Sequence, residues 1–371
     1  MKIGITCHPS AGGSGILATE LGIALSERGH EIHFVTFDPP FRLTRTYKNI
    51  HCHYVEFVSY PLFTYPPFSQ ALTTKIAEVA EEQGIEIWHA HYAIPHAFAA
   101  LAARQMLPPG KQFKIVTTLH GTDITLVGSD PSFWRLTRYA MQNSDAVTAV
   151  SNWLTDETQR EFDLEVPPTT IYNFLNTDRF SSRPVRRCDF AADGEKIIMH
   201  ISNFRPVKRV TDVVRAFKKI VDRVPAKLVM VGDGPERMST VGVAKQLGVR
   251  DRIEFLGKHP DIHEILPCAD LVFQPSEHES FGLVPLEAMG CEVPVLATAS
   301  GGICEVVEHG VTGYLCEVGD TDAMAAYAVE ILSDPDKQRE MGRRGRERAM
   351  RVFPQDEKVS EYETLYRRLL G

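Results

Sequence analysis

The chain has no apolar run approaching the roughly 20 residues that a membrane-spanning helix requires. Its start, Met1-Lys2-Ile3-Gly4-Ile5, reads as a strand and lacks the pattern of a signal peptide. A membrane anchor and a secreted form are set aside, and a cytoplasmic protein is expected. Positive charge is scarce as well. With 40 lysines and arginines against 48 aspartates and glutamates, the formal net charge is -8, which argues against a nucleic-acid binder and against attachment to anionic membrane by overall charge. The 7 cysteines (Cys7, Cys52, Cys188, Cys268, Cys291, Cys304 and Cys316) contain no C-x-x-C pair, so reduced buried thiols are expected rather than disulfides or a zinc site. No short repeat and no low-complexity tract is present. What remains is an ordinary globular composition, 43% hydrophobic and 24% charged, over 371 residues, enough for two domains with a sizeable core each.

Apolar runs of strand length alternate with helical patterns, which predicts parallel sheets with helices on both faces. In the first half the runs are 2–7, 31–37, 85–91, 114–119 and 146–151; in the second they are 196–202, 227–232, 252–257, 270–274, 294–298 and 313–318. A polar, proline-bearing stretch, 173–194, with Ser181-Ser182-Arg183-Pro184 and Arg186-Arg187, reads as a linker. The expected fold class is therefore α/β, with two Rossmann-like domains facing across a cleft, 1–172 and 173–354. A last helix, 355–371, carries Val359, Tyr362, Leu365, Tyr366 and Leu369 at helical spacing and is expected to pack back on the first domain. The arginine-rich helix before it, 339–351, has Glu340 and Glu347 interleaved and reads as a solvated face.

Several strand ends carry residues suited to chemistry. Glu279 and Glu287 flank seven residues, Ser280-Phe281-Gly282-Leu283-Val284-Pro285-Leu286, just after the run 270–274. A strand stop, a glycine loop and a new helix set the two carboxylates at different heights at a strand's carboxyl end, where open α/β sheets bind ligands. Two such carboxylates suit the hydroxyls of a sugar and a ribose, and the free amides between them suit phosphates. Taken alone, the spacing is better read as a capped surface helix with an acidic first turn; the rest of the chain overturns that reading. Gly12-Gly13-Ser14-Gly15 opens a helix after the first strand and offers unpaired amides, although a plain strand-to-helix turn would look the same. His120, in Leu119-His120-Gly121-Thr122-Asp123, closes a strand among threonines and is read as functional. His89-Ala90-His91 has H-x-H spacing but no third ligand, so no metal is inferred. In Asn203-Phe204-Arg205-Pro206-Val207-Lys208-Arg209, cations stand at a helix start, where the dipole disfavours them; a diphosphate accounts for that cost. Gly232-Asp233-Gly234-Pro235 and Gly301-Gly302 fit either ligand loops or tight turns. The D-x-D pairs Asp320/Asp322 and Asp334/Asp336 are read as helix caps rather than a metal site.

Taken together, these residues resemble the retaining glycosyltransferases of family GT4, which have the GT-B fold, over nearly the whole chain. The resemblance implies that Glu287 binds the ribose of a nucleotide, that Glu279 and His120 contact the donor sugar, and that Lys208 with Arg205 grips the diphosphate. His120, Lys208 and Glu279 are thereby the expected catalytic residues. Gly13, Ser14, Gly15, Ser280, Phe281, Gly282 and Leu283 complete the donor site. One departure stands out: the family arginine five residues before the lysine is Asn203 here. Ile5-Thr6-Cys7-His8-Pro9-Ser10, His89 to His96, Thr117 to Asp123 and Ile171-Tyr172-Asn173-Phe174 look like the branch that opens bacillithiol synthesis. That branch implies transfer of N-acetylglucosamine from UDP-GlcNAc to the hydroxyl of L-malate with retention, without metal or other cofactor. Tyr92, Thr118, Asn173 and Arg205 are the implied acceptor ligands. The expected partners are these two small molecules, with no nucleic acid and no membrane insertion; self-association is left open. An enzyme of the same family acting on a lipid or polysaccharide acceptor is the alternative, for which Phe63, Tyr65, Phe68 and Trp134 would supply an aromatic face. A nucleotide-sugar epimerase and a non-catalytic nucleotide-sugar sensor are the readings from other classes.

Overall fold

The computed structural model describes residues 1–9, 12–57, 67–182, 190–259 and 261–371. Ser10, Phe63, Tyr65, Cys188 and the linker residues Arg183, Pro184, Arg186 and Arg187 lie outside the described residues. The chain forms two compact units, Met1–Tyr172 with Asp356–Gly371, and Asn173–Gln355.

The first unit holds β1 (Lys2–Thr6), β2 (Glu31–Thr36), β3 (Ile50–Tyr54), β4 (Ile87–His91), β5 (Lys114–Leu119), β6 (Ala146–Ala149) and the short β7 (Thr169–Thr170), in the order β3-β2-β1-β4-β5-β6-β7 with every pair parallel. The second holds β8 (Lys196–Ile201), β9 (Ala226–Val231), β10 (Ile253–Gly257), β11 (Leu271–Gln274), β12 (Val295–Thr298) and β13 (Gly313–Cys316), in the order β10-β9-β8-β11-β12-β13, again parallel. All eleven expected strands are present. β3 and β7 were not expected: β3 is an edge strand that alternates histidine with other residues instead of running apolar, and β7 has two residues.

Both sheets are doubly wound, and the order reverses between β1 and β4 and again between β8 and β11. Those are the two places where adjacent strands send their chains to opposite faces, leaving a crevice at their carboxyl ends. Both strands bordering each reversal are followed by one of the motifs singled out above.

The cores explain the strands. Central strands read as continuous apolar runs because helices cover both faces. Trp88 of β4 is fully buried, and the missing side chain of Gly4 makes room for it: a Cβ there would lie 2.4 Å from the Trp88 ring. In the second unit, Val210, Val213, Val214, Phe217 and Ile220 of the helix Val210–Val221 bury one stripe against Ile198, Leu228 and Met230 of the sheet. The helix Gln355–Leu370 lays Val359, Tyr362, Leu365 and Tyr366 into the core of the first unit. There Tyr366 Oη and His89 Nδ1 share a hydrogen bond of 2.7 Å.

Two expectations need correction. The helix Pro335–Val352 is not simply a solvated face. Arg343 and Arg344 do pair with Glu340 at the surface, but Arg346 donates to the Gly290 carbonyl and Arg348 to those of Val306 (2.9 Å) and Glu305 (2.8 Å). These carbonyls end neighbouring helices and need donors. The cysteines are mixed as well: Cys7, Cys52, Cys291, Cys304 and Cys316 are free, whereas Cys268 is disulfide-bonded. Bonding depends on Cα atoms meeting at about 5.5 Å, which spacing along the chain does not reveal. The aspartate caps hold: Asp320 accepts from the Ala323 amide, and Asp334 from those of Asp336 and Lys337.

Candidate active site

In the first unit, β1 leads into the helix Gly13–Glu27, whose N-cap, Gly12, provides no side-chain cap. The amides of Gly13, Ser14 and Gly15 precede the first intrahelical bond, Ile16 N to Gly12 O at 3.1 Å. They therefore remain available to an anion beside the positive end of the helix dipole.

β4 and β5 deliver a row of imidazoles. His89 and His91, two residues apart on a strand, project from one face and stack with ring centroids 4.3 Å apart. His89 Nε2 meets Thr118 Oγ1 at 2.6 Å, and His91 Nδ1 meets His120 Nε2 at 2.9 Å. Burial, helped by the neighbouring rings, holds the whole row neutral. His89 and His120 are pushed down to about 3, and His91 and His96 fall well below the usual histidine range. His120 is thus a neutral hydrogen-bonding group near pH 7 rather than a cation.

Asp123 fastens this corner. Its carboxylate accepts from the amides of His120 (3.1 Å) and Gly121 (2.9 Å) on its own loop, and from Ala93 (3.3 Å) after β4. Burial nevertheless raises it to about 6. Tyr92 leaves β4 with φ +92, a backbone conformation side-chain-bearing residues seldom adopt, and its amide donates to the Thr118 carbonyl at 3.0 Å. Its ring lies 5.4 Å from that of His120 and 5.3 Å from that of His8. Thr118 lies deeper than the other acceptor candidates. It is fully buried, and its hydroxyl is engaged by His89 and, at 2.7 Å, by Thr148. It therefore orients His89 from inside the sheet, because alternation along β5 turns this side chain inward.

In the second unit, β8 leads into the loop Ser202-Asn203-Phe204-Arg205 and the short turn Pro206–Lys208, and β11 leads into the segment bearing Glu279. Lys208 Nζ donates to Glu279 Oε2 at 2.7 Å, with both side chains about four-fifths buried. The same oxygen accepts from Ser276 Oγ (3.2 Å) and Gln274 Nε2 (3.4 Å). The two loops are tied by a backbone bond from Glu277 N to Val207 O at 2.8 Å. Arg205 and Asn203 are exposed, and the Arg205 guanidinium has no ion-pair partner among the described residues. Gly232 and Gly234 turn out to buttress this loop: a Cβ on either would lie 1.7 Å from the Ser202 carbonyl oxygen or 2.1 Å from that of Asn203. Gly301 does the same for Glu279, where an added Cβ would sit 2.3 Å from the glutamate carbonyl oxygen at φ +80.

Past Glu279, Ser280 is half-buried and Phe281 packs edge-on against Phe353, centroids 5.4 Å apart. Gly282, at φ +101, opens the helix Leu283–Gly290 without a side-chain cap. Glu287 sits one turn in, almost wholly buried. Asn173 is buried and its Oδ1 accepts no hydrogen bond among the described residues. Among the residues offered for an aromatic membrane face, Phe68 packs on Phe37 (5.3 Å) and Phe57 (5.6 Å), and Trp134 stacks on Phe162 (5.7 Å) and donates to Glu161 O. No helix among the described residues is long and apolar enough to cross a membrane.

Each unit thus gathers its candidates at its own sheet reversal, around helix amides unpaired among the described residues in the first and around a buried lysine–glutamate pair in the second. Sequence reading passed over Asp123 as a fastening residue and over His96, whose ring nitrogens are both buried without hydrogen-bond partners among the described residues. The only available signal was their proximity to the motifs.

Comparison with known proteins gives the lineage. The model of "Glycosyltransferase Family 4" matches residues 11–179, and that of "Glycosyl transferases group 1" matches 185–348. The chain is 51% identical over 369 residues to N-acetyl-alpha-D-glucosaminyl L-malate synthase of Bacillus anthracis, covering 99% of this chain and 96% of that one. It is 34% identical to D-inositol 3-phosphate glycosyltransferase of Nocardia farcinica over 41% of this chain and 36% of the other. Sucrose-phosphate synthase from Thermosynechococcus elongatus superposes with a TM-score of 0.82 at 24% identity, covering 100% and 99% of the two chains. Anabaena HepE in complex with UDP and glucose gives 0.80 at 21% identity over 98% and 99%. The two doubly wound parallel sheets are those of the GT-B fold, and the chain belongs to the family 4 glycosyltransferases, together with the Bacillus anthracis synthase.

Proposed function

We propose that this chain transfers N-acetylglucosamine from UDP-GlcNAc to the hydroxyl of L-malate, with retention at the anomeric carbon and without a metal. The observation that carries the reading is the 51% identity spread over 99% of the chain to a protein named for that reaction. The sites support it. Lys208 and Arg205 are the cations for the diphosphate, reinforced by the amides of Gly13, Ser14 and Gly15 and by those of Ser280, Phe281, Gly282 and Leu283. The buried carboxylate of Glu287 receives the ribose hydroxyls; Glu279 and neutral His120 hydrogen-bond the donor sugar. Tyr92, Asn173 and Arg205 serve the malate, with Thr118 behind them.

The chemistry asked of these groups is modest. The bond from the anomeric carbon to the β-phosphate oxygen breaks, the bond to the malate oxygen forms on the same face, and the malate hydroxyl proton passes to the departing phosphate. No side chain need act as acid or base, in contrast to glycosidases with their two carboxylates. Glu279 is held by Lys208 within 2.7 Å, which favours an ion pair that positions sugar and phosphate over a nucleophile. Catalysis then rests on orientation and on cations placed where charge develops.

The test is release of UDP from UDP-GlcNAc in chelator-treated buffer, with and without L-malate, and a product mass by spectrometry. Malate-dependent release with an N-acetylglucosaminyl-malate mass upholds the reading. Donor binding without malate-dependent turnover would reject malate and direct the search to larger or lipid acceptors.

A further inference from the structure

The outer edge of the first sheet carries a second constellation, on β2 and β3, the two strands outside β1. Glu31 and His33 on β2 share one face, as do His51 and His53 on β3, and the parallel register sets His33 directly against His51 and Val35 against His53. A carboxylate and three imidazoles therefore meet on one patch of sheet. His33 Nε2 lies 3.1 Å from Glu31 Oε1, His51 Nε2 lies 4.0 Å from the same oxygen, and His33 Nδ1 lies 3.0 Å from His53 Nε2. One ligand atom each from Glu31, His33 and His51 fits within a 4.8 Å span. Ligands about 2.05 Å from a tetrahedral ion stand about 3.3 Å from one another, so small side-chain adjustments bring all three to bonding distance.

We propose that Glu31, His33 and His51 form a binding site for a borderline divalent transition-metal ion such as Zn(II) or Co(II), with His53 as the outer partner that orients His33. The donor set, two imidazoles and one carboxylate, is of the kind such ions prefer. His33 is buried and His51 half-exposed, which gives one rigid ligand and an entry path from solvent. Binding needs no net proton loss from His33. With the ion on Nε2, the His33 ring carries its proton on Nδ1 and donates it to His53 Nε2, and His53 holds its own proton on Nδ1. Two groups oppose the ion: Lys2 Nζ, 3.5 Å from Glu31 Oε1, must swing away, and Lys75 on the adjacent helix acts against charge near His53, where Glu82 offsets it. The site clasps the edge strand to its neighbour, so its effect is on stability and not on the transfer reaction.

The test uses the full-length chain without a histidine tag, stripped with chelator and titrated with Co(II). The expected result is one Co(II) per chain, with the intense visible bands of a four-coordinate ion, displacement by Zn(II), and a higher melting temperature with metal. His51→Ala and, separately, Glu31→Gln should weaken binding by tenfold or more, and His53→Ala by about tenfold. UDP release by His51→Ala should match the parent. Co(II) bound equally well by parent and His51→Ala, each shown folded by circular dichroism, would place the ion elsewhere and overturn the proposal. So would the absence of visible bands in the parent.

Discussion

Lys208 and Glu279 neutralise one another at 2.7 Å in a mostly buried setting, and this pairing decides what substitution does. Lys208→Ala removes the cation facing the departing phosphate and leaves Glu279 without its charge partner. The expected outcome is a loss of roughly 10²- to 10³-fold in kcat with little change in the malate KM; a loss confined to substrate KM would remove Lys208 from the chemical step. Arg205, exposed and without an ion-pair partner among the described residues, is expected to hold malate as much as diphosphate. Arg205→Ala should raise the malate KM about tenfold, in line with one charge-assisted hydrogen bond; a rise in the donor KM alone would assign it to the diphosphate. At this scale the sequence was most legible where a motif is local: the glycines of 12–15, Lys208 and the two glutamates are each recognisable within a few positions. The burial of Thr118 and its bonds to His89 and Thr148 were not legible, since which face a strand residue takes depends on register. Asp123 was passed over because its meaning lies in the Ala93 amide, thirty positions away.

Elements are held to one another by close backbone approaches that tolerate no added atom. The helix Pro335–Val352 crosses beside the helix Leu283–Gly290 with Gly342 against the Glu292 carbonyl oxygen, where a Cβ would sit at 2.0 Å. Gly342→Ala must push the two helices apart. About 1–3 kcal/mol of stability should be lost in urea unfolding, with reduced transferase activity in the folded fraction because the displaced helix bears Glu287. Unchanged stability would show that the contact relaxes freely. Gly4→Ala should cost a similar amount through Trp88. The order of elements was legible because buried parallel strands are written as apolar runs between helical patterns. The edges were not. β3 has a polar alternation, β7 is too short to carry a pattern, and Arg346 and Arg348 look like any surface arginines until the carbonyls they serve are in view.

For the molecule as a whole, buried neutral histidines set the response to acid. His89 is held at about 3 and His200 at about 4, with His91 and His96 also displaced downward by burial. An unfolded chain takes up protons near pH 6.5 that the folded chain refuses, so stability is full above that value and falls as pH drops towards the folded values. Each fully buried ring removes about 1.4 kcal/mol per pH unit in that window. Asp123, raised to about 6, acts in the opposite sense, since its contribution is lost as pH rises through that value, but it is one group against five once His120 is included. The urea midpoint should therefore be clearly lower at pH 5 than at pH 7; equal midpoints would mean that the rings are hydrated in solution. The return of the last helix to the first unit has a consequence for synthesis. Tyr362 and Tyr366 are fully buried there, although the whole of the second unit precedes them in the chain. The amino-terminal unit therefore lacks part of its interior until the segment beyond the second unit has been made, and the second unit, whose sequence is complete earlier, is the first of the two that can finish folding.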